Sequence, residues 1–147
     1  MGLEDKLKAL VSERDEQAKR ARAEQAAEQE KSRQQQNEWS AYINGFIAPK
    51  FEEAAQMIRR TSLDARTSAN SYSGGGLAGY SLIISTKQAR PATATISILH
   101  QLGTTNGSYT VRVPFNPALD TSGLVMCGDE SEELIEKLVL PLVEVML

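Results

Sequence analysis

From Gly2 to Glu38 the chain has no proline, no aromatic residue and one β-branched residue, Val11, while Glu, Gln, Lys, Arg and Ala fill most positions. All five are good helix formers, so this stretch predicts one long helix. At 1.5 Å per residue it would extend roughly 50 to 55 Å. Glu4 and Lys8, Asp15 and Lys19, and Glu16 and Arg20 stand four residues apart with the acid first, the order that supports an exposed helix. A helix this polar has no apolar face to fold against, so any core must come from the rest of the chain.

With Val11 placed at heptad position a, the a and d positions run Glu4, Leu7, Val11, Arg14, Ala18, Ala21, Gln25, Glu28, Ser32 and Gln35, then Trp39, Tyr42 and Phe46. Only Leu7, Val11, Ala18 and Ala21 of the first ten are apolar, far short of a strong two-stranded seam. Leu3, Leu7, Leu10 and Val11 nevertheless make a compact apolar knob. The segment is either a solvated helical tail or an arm that pairs with a copy of itself or a helical partner. The interaction residues of such an arm are Leu3, Leu7, Leu10, Val11, Ala18 and Ala21. The phase carries on into Trp39 and Phe46, which adds to the case for pairing.

Composition changes at Trp39. Trp39, Tyr42, Ile43, Phe46, Ile47, Phe51, Ala54 and Ile58 recur at three- and four-residue steps, the mark of an amphipathic helix. Pro49 lies inside it and meets the carbonyl of Gly45, which predicts a kink or a short interruption between Gly45 and Pro49. Period-two alternation follows in Tyr80–Lys87, Thr93–Leu102 and Tyr109–Phe115, and more faintly in a polar edge strand, Leu63–Tyr72. Short connections, among them the hairpin dipeptide Asn106-Gly107, make these an antiparallel meander. Asp129 with Glu132 resembles a capping box for a last helix whose apolar positions include Leu134, Ile135, Leu138, Val139, Leu142, Val143 and Met146, broad enough to predict burial on more than one side. Pro141 should kink or restart it. The expected fold is α+β: an extended helical arm over 2–38, coiled-coil-like, and a compact head over 39–147 of helix, four-stranded antiparallel meander and C-terminal helix, the helices on one face of the sheet.

Gly74, Gly76 and Gly79 have the G-x-G-x-x-G spacing of phosphate-binding loops. In a dinucleotide fold that loop opens a helix whose free amides hold the pyrophosphate, whereas here a strand follows. A kinase-type loop would need Val where Ser81 stands, and no H-R-D or D-F-G string occurs. The glycines therefore make a hairpin, in which Gly75 should tolerate Ser. His100, the only histidine, is expected as a satisfied core or interface residue and not as a metal ligand. Cys127 is expected as a small buried residue whose thiolate the nearby Asp129, Glu130, Glu132 and Glu133 would oppose. No catalytic residue, metal site or cofactor site is assigned, and the expected protein is not an enzyme.

The 147 residues suit one domain, and a net charge of -3 gives no general attraction to nucleic acid or anionic membranes. The single cysteine, with no apolar run of signal or membrane-spanning length, predicts a soluble cytoplasmic protein. "MGLEDK" begins like a myristoylation signal, but Lys6 stands where Ser or Thr belongs. The sheet face away from the helices should carry Ile83, Ser85, Thr95, Ser97, Leu99 and Arg112, with Ile83 and Leu99 exposed near its centre, and is the candidate docking face. In element order the chain resembles RWD-type domains of coiled-coil assembly proteins, although "RVPFNPA" around Pro114 and Pro117 lacks that family's Y-P-x-x-x-P signature. These features point to an interaction or assembly protein whose partner is a second copy or a helical protein. The alternative is a module that binds a ligand or nucleic acid on the polar face, with Arg66, Lys87, Arg90 and Arg112 at its margins.

Overall fold

The computed structural model describes residues 2–130 and 132–147. Their order is α1 (Leu3–Tyr42), a π turn (Ile43–Ile47), α2 (Ala48–Arg59), β1 (Leu63–Ser71), β2 (Leu77–Thr86), β3 (Thr93–Leu99), β4 (Gly107–Arg112), a short 3-10 turn (Pro117–Leu119), β5 (Thr121–Val125) and α3 (Glu132–Met146). The chain divides into two units, Met1–Gln34 and Gln35–Leu147.

In the first unit residues 2–31 are all exposed. Glu4 and Lys8 pair at 3.6 Å, and Glu30 and Arg33 at 3.1 Å. Open-surface pairs of this kind add only a few tenths of a kcal/mol each, roughly.

In the second unit a buried stripe of Trp39, Ile43, Ile47, Phe51 and Ala55 recurs at every fourth residue. An α-helix turns about 100° per residue, so each four-residue step overshoots a full turn by about 40°. The π turn corrects the drift. Ala48 donates to the carbonyl of Ile43, one residue further back than the α pattern, and the local unwinding returns Phe51 to the face of Trp39. Pro49, in the first turn of α2, is the cause: it has no N–H to give to Gly45, so the ladder can change register there without losing a bond. The strain expected at Pro49 is thus taken up by the π turn, and the helical run continues to Arg59.

The sheet is a five-stranded antiparallel meander in the order β1-β2-β3-β4-β5, one strand more than the sequence predicts. β5 escapes notice because Val125 is its one large apolar residue on the core face and the next inward position, two residues earlier, is Gly123. The ring of the cross-strand neighbour Tyr109 occupies that space, so a Cβ on Gly123 would stand 2.5 Å from it. β1 is an edge strand, as its polarity implies. Leu82 and Ile84 of β2, Ala94, Ile96 and Ile98 of β3, and Val111 with Val113 all face the core and are buried, so their alternation was a faithful guide. Leu102 and Phe115, predicted to share that face, are exposed because β3 stops at Leu99 and β4 at Arg112. The Asn106-Gly107 hairpin is also corrected. The positive φ of that connection belongs to Gly103, and Gly107 is a buried strand residue that leaves room for Trp39.

α3 starts at Glu132, two residues later than an Asp129 cap would place it; the position just before it lies outside the described residues. Pro141 sits inside the helix, which continues to Met146. Ile135, Leu138, Val139 and Leu142 are buried, but Leu140 and Val145 are exposed, so α3 is covered on one side and not on two. Lys50 donates to Glu132 and so ties α2 to α3, and that bond, more than the charge of Glu132 or Glu53, raises the lysine pKa. Across the helix-sheet interface Glu52 accepts from Thr67 and, at 2.8 Å, from Tyr80. These two bonds, Thr67's first, hold the Glu52 carboxyl below the usual carboxylate range.

Candidate functional site

The glycine-rich stretch is a hairpin between β1 and β2, docked on the helix. Gly75 N–H donates to the carbonyl of Tyr72, and Tyr72 N–H to that of Gly76. Leu77 N–H donates to Ser40 Oγ, and Gln36 Nε2 donates to the Gly75 carbonyl. The amides of Gly75 and Leu77 are therefore already used within the protein. Gly75 and Gly76 hold φ angles of 99° and 82°, a region that favours glycine, so Ser at Gly75 would be strained, contrary to its predicted tolerance.

His100 is buried and fully bonded. Tyr72 O–H lies 2.6 Å from Nδ1, and Nε2 lies 2.8 Å from the Thr104 carbonyl. A carbonyl only accepts, so Nε2 carries the proton and Nδ1 accepts from Tyr72. Trp39 stacks on the ring at 4.6 Å. This is a structural core histidine. Cys127, expected as buried, is exposed. Its thiol pKa is raised, first by local desolvation and then by the charge of Glu38, not by the acids that follow it in sequence. No cluster of three or more His, Cys, Asp or Glu suited to a metal occurs among the described residues.

Tyr42 donates to the Asp129 carbonyl, and burial, reinforced by Asp129, pushes its pKa up to about 12. Burial, reinforced by Cys127, does the same for Tyr72. In the unfolded chain both return to 10.0. From 10 to 12 the folded state holds protons that the unfolded state has lost, so stability is intact below pH 10 and falls as pH rises through that window. Solvent screening of the partly exposed hydroxyls cuts the full linkage value of about 2.7 kcal/mol, so the expected loss is about 1 to 2 kcal/mol per tyrosine. Denaturant unfolding across the window, with phenolate absorbance followed in parallel, checks it; two tyrosines ionising late should accompany the fall.

The face of the sheet away from the helices is ordered by the register into cross-strand rows. One row reads Arg66, Ile83, Thr95, Arg112; the next reads Ser68, Ser81, Ser97, Thr110, Ser122. Ser85 stands beside Thr93, and Leu99 lies between Gly79 and Ser108. All six candidate docking residues therefore share one face. Ile83 is half-buried between its row neighbours and not exposed as expected, whereas Leu99 is exposed toward the β3–β4 end. The Ser81 and Ser97 hydroxyls bond to each other at 2.9 Å. The paired positions of this face include no aromatic residue.

A second surface lies on the helical side. α2 and α3 leave an apolar groove of about 360 Å³ lined by Met57, Ile58, Ile135, Val139, Leu140 and Val143, with Glu136 among its walls. Sequence reasoning did not find it. Met57 falls outside the predicted α2 stripe, and Leu140 lies outside the broad apolar face that the sequence assigns to α3. Leu140 on the side opposite Leu138 and Leu142 was the available signal.

The knob residues Leu3, Leu7, Leu10 and Val11 are all exposed on α1, as are Ala18 and Ala21. Trp39 and Tyr42, which appeared to continue the arm's seam, are core residues of the second unit. No helix among the described residues is long and apolar enough to cross a membrane.

No protein-family model, curated protein or solved structure matches this chain. The likeness to RWD-type domains is one of element order, and the fifth strand departs from it.

Proposed function

We propose that this chain is a non-enzymatic interaction or assembly protein of the reducing cytoplasm, in which α1 mediates oligomerisation or holds a helical partner and the α+β head docks a partner. The observation that carries this reading is the exposure of four aliphatic side chains on one stripe of α1: Leu3 at 74%, Leu7 at 52%, Leu10 at 56% and Val11 at 60%. Fully burying such side chains is worth roughly 1.5 to 3 kcal/mol each, a substantial gain from about two turns of helix. The seam supports pairing less than it did in sequence, because Trp39 and Tyr42 are covered by their own head.

Light scattering on the native chain and on the Leu7→Glu/Val11→Glu double variant tests the role of α1. An assembly larger than a monomer is expected for the native chain and a monomer for the variant, with equal melting temperatures because both positions are exposed. A native chain that stays monomeric at high concentration removes self-assembly and leaves only a partner's helix.

Ligand or nucleic-acid binding on the polar sheet face is the second reading, favoured by Arg66 and Arg112 at the two ends of one row. It stands second because single strands are held largely by stacking on aromatic rings, which this face lacks. Titration with short oligonucleotides at low salt separates the two readings.

A further inference from the structure

We propose that the groove between α2 and α3 is the receptor for the Leu3–Arg14 segment of a second copy, so that copies join by α1 of one entering the head of another. The inference rests on the reading of α1 as an association element and names what it associates with.

Grooves of this kind bind a helix through anchors at i, i+3 or i+4 and i+7. Leu3, Leu7, Leu10 and Val11 stand at i, i+4, i+7 and i+8 on a segment that is helical from Leu3 onward. From Leu3 to Val11 is eight residues along one helix, and from Ile135 to Val143 is eight along the other, roughly 12 Å in each case. Groove and stripe therefore match in length. Both are uncovered: Met57 is 56% and Leu140 is 62% exposed, comparable with the four knob residues.

Charge sets the direction. Arg14 lies four residues beyond Leu10, in line with the stripe, and Glu136 is the acidic group in the groove wall. Glu136 is near the start of α3, so pairing it with Arg14 runs the incoming helix antiparallel to α3 and places Leu3 toward Val143.

The sequence of α1 also argues against the simpler arrangement of two α1 helices side by side. Beyond Val11 the seam positions are Arg14, Ala18, Ala21, Gln25, Glu28, Ser32 and Gln35. A two-stranded coiled coil needs apolar seams over several heptads, and this one supplies about two turns. A short stripe is what a short groove requires.

The full-length chain is the material for the test, with two variants at exposed positions. Leu7→Glu removes the knob and keeps the groove; Met57→Glu/Leu140→Glu removes the groove and keeps the knob. By sedimentation the native chain is expected to assemble, and each variant alone to associate at least tenfold more weakly, with unchanged melting temperature at concentrations where the native chain is still monomeric. Mixing the two variants should restore a complex, because one still offers a knob and the other a groove. That mixture distinguishes the proposal from α1–α1 pairing, in which a chain without its knob has nothing to contribute. Assembly that survives Met57→Glu/Leu140→Glu but is lost with Leu7→Glu overturns this inference and leaves the general role of α1 standing. A mixture that stays monomeric overturns it too, and a native chain that never assembles overturns this inference together with self-assembly through α1, leaving α1 to a partner's helix.

Discussion

Replacing Trp39 by alanine is expected to destabilise the head by about 3 to 5 kcal/mol, the range for emptying a large aromatic site in a core. Trp39 is only 1% exposed and joins its helix to the sheet. It stacks on His100 with an interplanar angle of 11°, meets Tyr42 edge-on at 5.7 Å, and lies over Gly107 so closely that a Cβ there would come within 2.6 Å of its ring. Gly107 has no side chain to collapse into the space. The loss also uncovers a bonded imidazole, which must then be hydrated or left in a void. Against a total stability of about 5 to 15 kcal/mol, such a change removes much of what keeps the head folded. Urea unfolding followed by circular dichroism measures it, and Trp39→Phe should retain a good part of the stability. A loss below 1 kcal/mol for the alanine variant would show that the stack is not part of the cooperative core.

The same residue shows where sequence reasoning was sound and where it failed. Strands β2, β3 and β4 were legible because one face of each is buried, and burial on one face of a pleated strand imposes period two whatever the residues are. β5 was not legible because only Val125 of its inward positions brings a large apolar side chain: at Gly123 Tyr109 supplies the volume and the glycine the space, so the pattern is completed by a residue fourteen positions away. Trp39 and Tyr42 fit both the heptad of the arm and the packed face of the head helix, and the structure gives them to the head; a helix face carries no mark of which surface will cover it. The apolar groove was missed for the same reason. Met57 and Leu140 are ordinary helix residues until the placement of α2 beside α3 leaves them uncovered. The polar sheet face, in contrast, followed from alternation alone, and its grouping of Ile83, Thr95 and Arg112 into one row needed only the register.

Gly79→Val is expected to destabilise the head by about 2 to 3 kcal/mol, in the upper range for overpacking. Local propensity predicts the opposite sign, because valine favours strands over glycine by up to about 1 kcal/mol and Gly79 lies within β2. Packing decides the outcome. A Cβ on Gly79 would stand closer than 3.0 Å to the carbonyl oxygen of Ile98 and to a methyl of Leu99 on the neighbouring strand. The methyl belongs to an exposed side chain that can turn away, but the carbonyl is fixed in β3, next to the bond at 2.8 Å from His100 N–H to the Ala78 carbonyl. Combining Gly79→Ala with Leu99→Ala should therefore recover only part of the loss caused by Gly79→Ala alone. Full recovery would place the conflict in the side chain, and a stabilised Gly79→Val would show that β2 and β3 can separate without cost. The last glycine of the G-x-G-x-x-G spacing is thus required by strand contact, and the pair that holds positive φ, Gly75 and Gly76, does not coincide with the triplet that suggested a phosphate loop.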